Sequence, residues 1–252
     1  MRGNIIAIIP VLDRYPEETI NSLNSQTLKP KRIVVAAGTI RVHKECKERG
    51  IESVLVNPNF DEHVGIRMTK AMNAALESLN IRLEEYDYIL KVDDDVILPP
   101  KFLELCVLED ADCVGGSGCA ELFKTETFIE LFGGSFPKIV SEDTFREFSV
   151  LARNKKFSKW PIKPIPIGLK KRHNWRYYYQ IGFDRYKLGY DPIHIMLHLR
   201  HGKMYLFYVI GYLISLLRRE ERYHFAPKIF RLKLRELPSQ IKSFMKKRLD
   251  FQ

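Results

Sequence analysis

Three adjacent carboxylates, Asp93, Asp94 and Asp95, stand directly after an apolar run and before a double proline, in the stretch Y-I-L-K-V-D-D-D-V-I-L-P-P at 88–100. Like charges in series repel one another, so at a strand end they are tolerable mainly where a cation sits among them. Alternate side chains of an extended chain share a face, which would turn Asp93 and Asp95 toward one ion and Asp94 elsewhere. Oxygen-rich ligands suit Mg²⁺ or Mn²⁺ rather than zinc. The same three residues also read as a turn in which Asp94 or Asp95 caps a following helix. A second acidic segment, Ser141-Glu142-Asp143, precedes an amphipathic run and by itself reads as a helix start with charges favourable to the dipole.

The elements that must position these groups are legible in the apolar pattern. Ile5 to Val11, Arg32 to Ala36, Ser53 to Val56 and Tyr88 to Val92 are short β-branched runs, with Ala111 to Val114 continuing the sheet. Between them lie helical patterns at Pro16 to Leu23, Arg41 to Arg49 and Val64 to Leu79, and a later one fits Glu142 to Arg153. Such alternation implies βαβ units in a largely parallel α/β sheet, whose ligand sits at the carboxyl ends of the strands. Gly115, Gly116 and Gly118 follow the last of these strands, where a backbone must turn tightly or approach something closely.

With 45% hydrophobic residues among 252, the chain has material for a real core, which excludes a disordered chain, a collagen and a small disulfide scaffold. The net charge of +10 conceals two opposite halves: residues 1–150 carry 17 basic and 25 acidic side chains, residues 151–252 carry 24 and 6. The basic half reads as a surface for phosphates, nucleic acid or anionic lipid, or as a solvated tail. Cys46, Cys106, Cys113 and Cys119 form no C-x-x-C pair and no zinc spacing, so they read as reduced and structural in an intracellular protein. The opening apolar run is shorter than a signal sequence needs and reads as a strand.

Strand, Asp-x-Asp and following proline resemble the metal and nucleotide-sugar site of GT-A family 2 glycosyltransferases. I-I-A-I-I-P-V with Arg14, then I-V-V-A-A-G-T at 33–39, is similar to the strands that frame the nucleotide base in that family. G-I-R-M-T-K-A-M-N-A-A-L at 65–76 is similar to its helix after strand three, and S-E-D-T-F-R-E at 141–147 to its Glu-Asp segment. The resemblance covers about residues 4–170. It implies a GT-A mixed sheet flanked by helices, with a nucleotide-sugar half at 1–115, an acceptor-side half at 116–170 and a helical, basic, aromatic extension at 171–252. It further implies donor contacts from Pro10, Arg14, Arg67, Lys70, Asp93 and Asp94, a metal held by Asp93 and Asp95, and Asp143 as catalytic base. On the same resemblance Gly115, Gly116, Glu142, Trp160 and Trp175 are the expected acceptor-side residues, although either tryptophan also reads as a large packing residue. The chain departs from the family at Ala36 and Ala37, where an acidic pair often contacts the base, and at Met72-Asn73, where Arg-Asn is usual.

R-H-N-W-R-Y-Y-Y at 172–179 resembles a His-x-x-Arg-Tyr-Tyr stretch of rhamnosyltransferase-like members, making His173 a candidate metal ligand as well as an ordinary surface histidine. Met204 to Leu217 is uncharged and apolar, but as a helix it spans about 21 Å against roughly 30 Å of bilayer core. With Arg218, Arg219, Arg222 and the basic run at 242–248 it reads as a segment resting on an anionic membrane surface, or as a helical hairpin packed on protein. The expected partners are therefore a UDP, GDP or dTDP sugar, a glycan or lipid-linked acceptor and the cytoplasmic face of a membrane. Nucleic-acid binding through the basic half competes but leaves Asp93, Asp95 and Asp143 without a role. A haloacid-dehalogenase-type phosphatase should carry its Asp-x-Asp near the first strand, and here three strands precede it.

Overall fold

The structure, a computed structural model, describes residues 3–116, 118–168 and 174–249, and the side chains of all of these except residues 200–201 and 239–249. Contacts divide the chain into two compact units, residues 1–170 and 171–252.

The first unit is built on β1 (Ile5–Val11), buried along its whole length. A central parallel strand has helices over both faces, so a continuous apolar run replaces the alternation of a half-exposed strand. Strand β1 is flanked in parallel by β2 (Arg32–Ala37) and β4 (Tyr88–Val92), and β3 (Glu52–Leu55) extends the sheet beyond β2. Between these strands run α1 (Glu17–Asn24), α2 (Ile40–Glu48) and α3 (Val64–Ser78). Their starts differ locally: Thr39 caps α2 by accepting from the Val42 N–H, and His63 Nδ1 accepts from the Gly65 N–H at the start of α3.

The chain then forms β5 (Val96–Ile97), α4 (Phe102–Leu108), β6 (Cys113–Gly115), β7 (Ala120–Lys124), α5 (Thr125–Phe132), α6 (Glu142–Ala152), β8 (Phe157–Lys159) and β9 (Ile165–Pro166). The sheet order is β3-β2-β1-β4-β7-β6-β8, with β5 and β9 in a separate two-stranded ladder. Strand β7 runs antiparallel to both β4 and β6, so the strand expected near Ala111 to Val114 does not lie beside β4; β7 intervenes. The result is a mixed α/β fold, a largely parallel sheet with helices packed on both faces. Odd residues of β1 (Ile5, Ala7, Ile9, Val11) enter one core cluster, with Phe102, Leu103 and Val107 of α4, and the even ones (Ile6, Ile8) enter the other, with Met72, Ala75 and Leu76 of α3.

The second unit is helical: α7 (Trp175–Lys187), α8 (Pro192–Leu197), α9 (Tyr205–Leu217) and α10 (Ala226–Leu249). Asn174 caps α7 and Asp191 caps α8, each side chain accepting a backbone N–H of the first turn. Helices α7 and α9 touch backbone to backbone, because a Cβ at Gly182 would strike the Tyr208 carbonyl and one at Gly211 the Tyr179 carbonyl. One face of the apolar stretch Met204 to Leu217 is thus packed on protein, through Tyr208, Val209, Gly211, Tyr212 and Ser215. No helix among the described residues is long and apolar enough to cross a membrane. The basic residues at 242–248 have side chains outside the described set.

Asp184, on α7, is buried, and burial pushes its carboxyl up to about 7 against the opposing pull of Arg185 and Lys187 and a hydrogen bond from Gln180. A carboxyl whose folded pKa lies above its unfolded value, near 3.9, favours folding below that value and withdraws the benefit as pH rises through about 7. At about 1.4 kcal/mol per pKa unit the loss between pH 4 and pH 8 is on the order of 3 kcal/mol. Asp184→Asn should flatten that slope and stabilise the unit above pH 7. Nine of the twelve tyrosines lie in residues 171–252, so tyrosine near-ultraviolet circular dichroism during thermal melts at pH 5 and pH 8 reads the effect on this unit.

Candidate active site at the carboxyl end of the sheet

The acidic run begins where β4 ends, and the antiparallel β7 brings a second segment to the same place. Val92 pairs with Ala120, and the Asp93 N–H donates to the Cys119 carbonyl at 2.9 Å. Lys91 and Asp93 share a face of the strand, and Lys91 Nζ lies 2.6 Å from Asp93 Oδ1 while also donating to the Gly118 carbonyl. Lys91 is only 2% exposed. A lysine buried in an apolar strand is costly unless paired, so its ion pair with Asp93 is the local reason it is tolerated. Burial pushes the Asp93 carboxyl up, as does the neighbouring Asp95, while Lys91 and Arg146 pull it down.

The extended alternation stops at Val92, and Asp94 and Asp95 form a turn. Asp93 therefore meets Lys91, whereas Asp94 and Asp95 both line an open cleft with Arg14, Glu18, Ile167 and Gly168. The turn is held by Thr19 Oγ1, which donates to the Asp94 carbonyl at 3.0 Å, and by the Ile167 N–H, which donates to the Asp95 carbonyl at 2.8 Å. The β5–β9 ladder brings Gly168 so close that any side chain there would collide with the Asp95 carboxylate.

Asp143 stands in the first turn of α6. Ser141, just before it, is left-handed at φ +54°, and its hydroxyl makes no cap bond, so this is not an ordinary serine-capped start. Instead Asp143 Oδ1 accepts from the Thr144 N–H at 2.6 Å. Its other oxygen faces Gly118: a Cβ there would sit 2.7 Å from Asp143 Oδ2, and the residue adopts φ +84°. Space and backbone conformation both call for glycine at 118. Gly118 thus touches Asp143 on one side and, through its carbonyl, Lys91 and the Asp93 strand on the other.

Below this surface lies a buried pair. Arg146, fully buried, donates to Glu121 Oε2 from Nε at 2.9 Å and also from Nη2. Burial pushes the Glu121 carboxyl up to about 7, opposed by Arg146 and Lys91. Glu142 is raised by burial too, and its Oε2 lies against Gly65 at the start of α3.

Other expected residues fall as follows. Pro10 is buried in β1 opposite Ala36, and Arg14 is exposed at the cleft, paired with Glu18 at 3.1 Å. Arg67 stacks over Phe60 at 5.0 Å, with Nε and Nη1 buried and unpartnered, while Lys70 is paired with Glu62. Gly115 packs on Phe157 and Glu121; Gly116 lies under the Trp160 ring, whose Nε1 donates to the Ala120 carbonyl at 2.8 Å. Trp175 belongs to the second unit and packs on Phe207. His173 lies outside the described residues. Lys91, Glu121 and Arg146 were not singled out from sequence, although a lysine and a glutamate inside apolar strands are a signal that buried charges have partners; the close approach expected at Gly118 is its contact with Asp143.

No group of three or more metal-ligating side chains occurs among the described residues. Mg²⁺ and Mn²⁺ bound with a nucleotide need only one or two carboxylates, the phosphates completing the shell. An exposed Asp95 beside Asp94 on an open cleft, with Asp93 next to it, fits that mode.

No family model matches the chain, and no curated protein is similar to it. Among solved structures it is similar to S. aureus TarS, at 14% identity and TM-score 0.47 over 72% of this chain and 39% of that one; to its 1–349 fragment, at 16% and 0.45 over 64% and 58%; and to glucosyl-3-phosphoglycerate synthase from Mycobacterium tuberculosis in complex with Mn²⁺, UDP and glucosyl-3-phosphoglycerate, at 13% and 0.40 over 68% and 72%. The chain thus spans less than two thirds of either TarS structure.

Proposed function

We propose that the chain is a metal-dependent, inverting glycosyltransferase that moves a sugar, a hexose or deoxyhexose, from a nucleoside diphosphate to the hydroxyl of a glycan or lipid-linked acceptor. The observation that carries this reading is the juxtaposition, through Gly118, of the Asp93 to Asp95 run with Asp143, whose carboxylate comes from a different element.

Asp95, assisted by Asp93, would hold Mg²⁺ or Mn²⁺, which when bound supplies Lewis-acid stabilisation of the departing diphosphate. Arg14, exposed on the same cleft, adds a cation for the donor phosphates or a contact to the base. Lys91 fixes Asp93 by an ion pair and Gly118 by a hydrogen bond, so the metal side and the base side are held by one buried ammonium. Asp143 takes the proton from the acceptor hydroxyl as it attacks the anomeric carbon. Its Oδ1 is anchored by the Thr144 N–H, leaving Oδ2 at Gly118 as the oxygen for proton transfer. One base, with no second carboxylate assigned to a covalent intermediate, leads to inversion. Trp160, fixed by its bond to the Ala120 carbonyl, offers a ring face beside the site for sugar stacking.

Calorimetric titration of the whole chain with UDP, GDP and dTDP, with and without Mn²⁺, tests the reading. Metal-dependent binding of one nucleotide is expected, reduced at least tenfold in Asp95→Asn, about the loss of one strong charge-assisted contact. Folded protein that binds none of the three with metal present would overturn it.

A further inference from the structure

The face of α9 turned away from α7 presents Leu206, Ile210, Leu213 and Leu217, exposed at 52%, 36%, 42% and 80%. Spacings of four, three and four place these side chains in one stripe, opposite the buried Tyr208, Gly211 and Ser215. A helix whose second face is needed only for solubility would carry polar residues here; this one carries leucine and isoleucine throughout. An exposed apolar stripe of this kind marks a surface that docks on something.

Charge at both ends of the stripe indicates what that is. Lys203 precedes the helix, and Arg218 and Arg219 follow it, all exposed. Arg219 holds φ +53°, a left-handed position at which glycine is favoured, so the helix closes on a guanidinium rather than on the residue the backbone prefers. Over residues 171–252 there are 18 basic side chains against 6 acidic. A second copy of so basic a unit would be repelled, and a nucleic acid would use the arginines but leave the leucines in water. Apolar side chains bracketed by cations match an anionic bilayer, whose acyl boundary accepts the first and whose headgroups attract the second.

We infer that the exposed face of α9 is a membrane-docking surface, with Leu206, Ile210, Leu213 and Leu217 entering the interface and Lys203, Arg218 and Arg219 meeting anionic phospholipid headgroups. The helix lies along the bilayer plane, consistent with its being too short to cross. The test of this surface needs no substrate.

Co-sedimentation of the full chain with vesicles of phosphatidylcholine, alone or mixed with phosphatidylglycerol, is the experiment. Binding is expected to the mixed vesicles at low salt and to be strongly weakened by salt. Replacing both Leu213→Glu and Leu217→Glu, at exposed positions where folding is undisturbed, should lower the partition coefficient at least tenfold, and Arg218→Gln with Arg219→Gln should remove most of the preference for anionic lipid. Circular dichroism of each variant confirms that it is folded. No binding of wild type to anionic vesicles, or binding indifferent to the leucine replacements, overturns the inference. Self-association in sedimentation velocity that the leucine replacements abolish, without vesicle binding, also overturns it and assigns the face to a second copy.

Discussion

Asp143→Asn should lower the turnover of sugar transfer by about 10²–10⁴-fold, the usual contribution of a general base, while leaving nucleotide affinity unchanged. Asparagine has nearly the shape of aspartate and can keep the bond from the Thr144 N–H through its oxygen. It then presents an amide nitrogen toward Gly118 in place of the oxygen that accepts the acceptor's proton. Ground-state binding of the donor, which depends on the cleft lined by Arg14, Asp94 and Asp95, has no reason to change. Steady-state kinetics beside calorimetry separates the two readouts: a loss in turnover with constant nucleotide affinity is the expected pattern. A loss of less than tenfold would mean that the base is another residue, and an equal loss of nucleotide affinity would place Asp143 on the donor side.

Arg146→Met should be the most destabilising single replacement in the first unit, at about 3–5 kcal/mol, because it leaves Glu121 buried without its cation. Glu121 is 2% exposed and takes two donors from Arg146. Its carboxyl, already raised by burial, rises further in the variant. A carboxyl with a raised folded pKa weakens folding as pH climbs through that value, so the variant should lose more stability at pH 8 than at pH 5. Denaturant unfolding at the two pH values measures this. A companion variant, Arg146→Met with Glu121→Leu, replaces the ion pair by apolar side chains and should recover most of the loss, since exchanging a whole buried pair is often neutral. Its transfer activity should nevertheless stay low: Arg146 also acts electrostatically on Asp93 and Asp143, whose charges the reaction uses. Full activity in the stable double variant would reduce the pair to a packing role.

What was legible in the sequence was what depends on near neighbours. The strands at Ile5–Val11 and Tyr88–Val92 begin and end as their apolar runs do, and α3 follows the helical spacing of Met72, Ala75 and Leu76. Burial on both faces of a central strand and on one face of a helix leaves a period in the chain itself, so these elements and the acidic run at the end of β4 could be read directly. The orientation of the site could not. That β7 inserts antiparallel beside β4, bringing Gly118 to Asp143, depends on a pairing across 28 or more residues, as between Val92 and Ala120. That Asp93 meets Lys91 while Asp94 and Asp95 together line the cleft follows from a turn pinned by Thr19 and Ile167, both remote in sequence. Likewise the apolar stretch in α9 read as either membrane-resting or packed, and the glycine contact with α7 decides which side of it packs. Hydrophobic periodicity is local and survives in one dimension; the pairing of buried charges and the close approach of backbones arise only when the topology brings distant segments together.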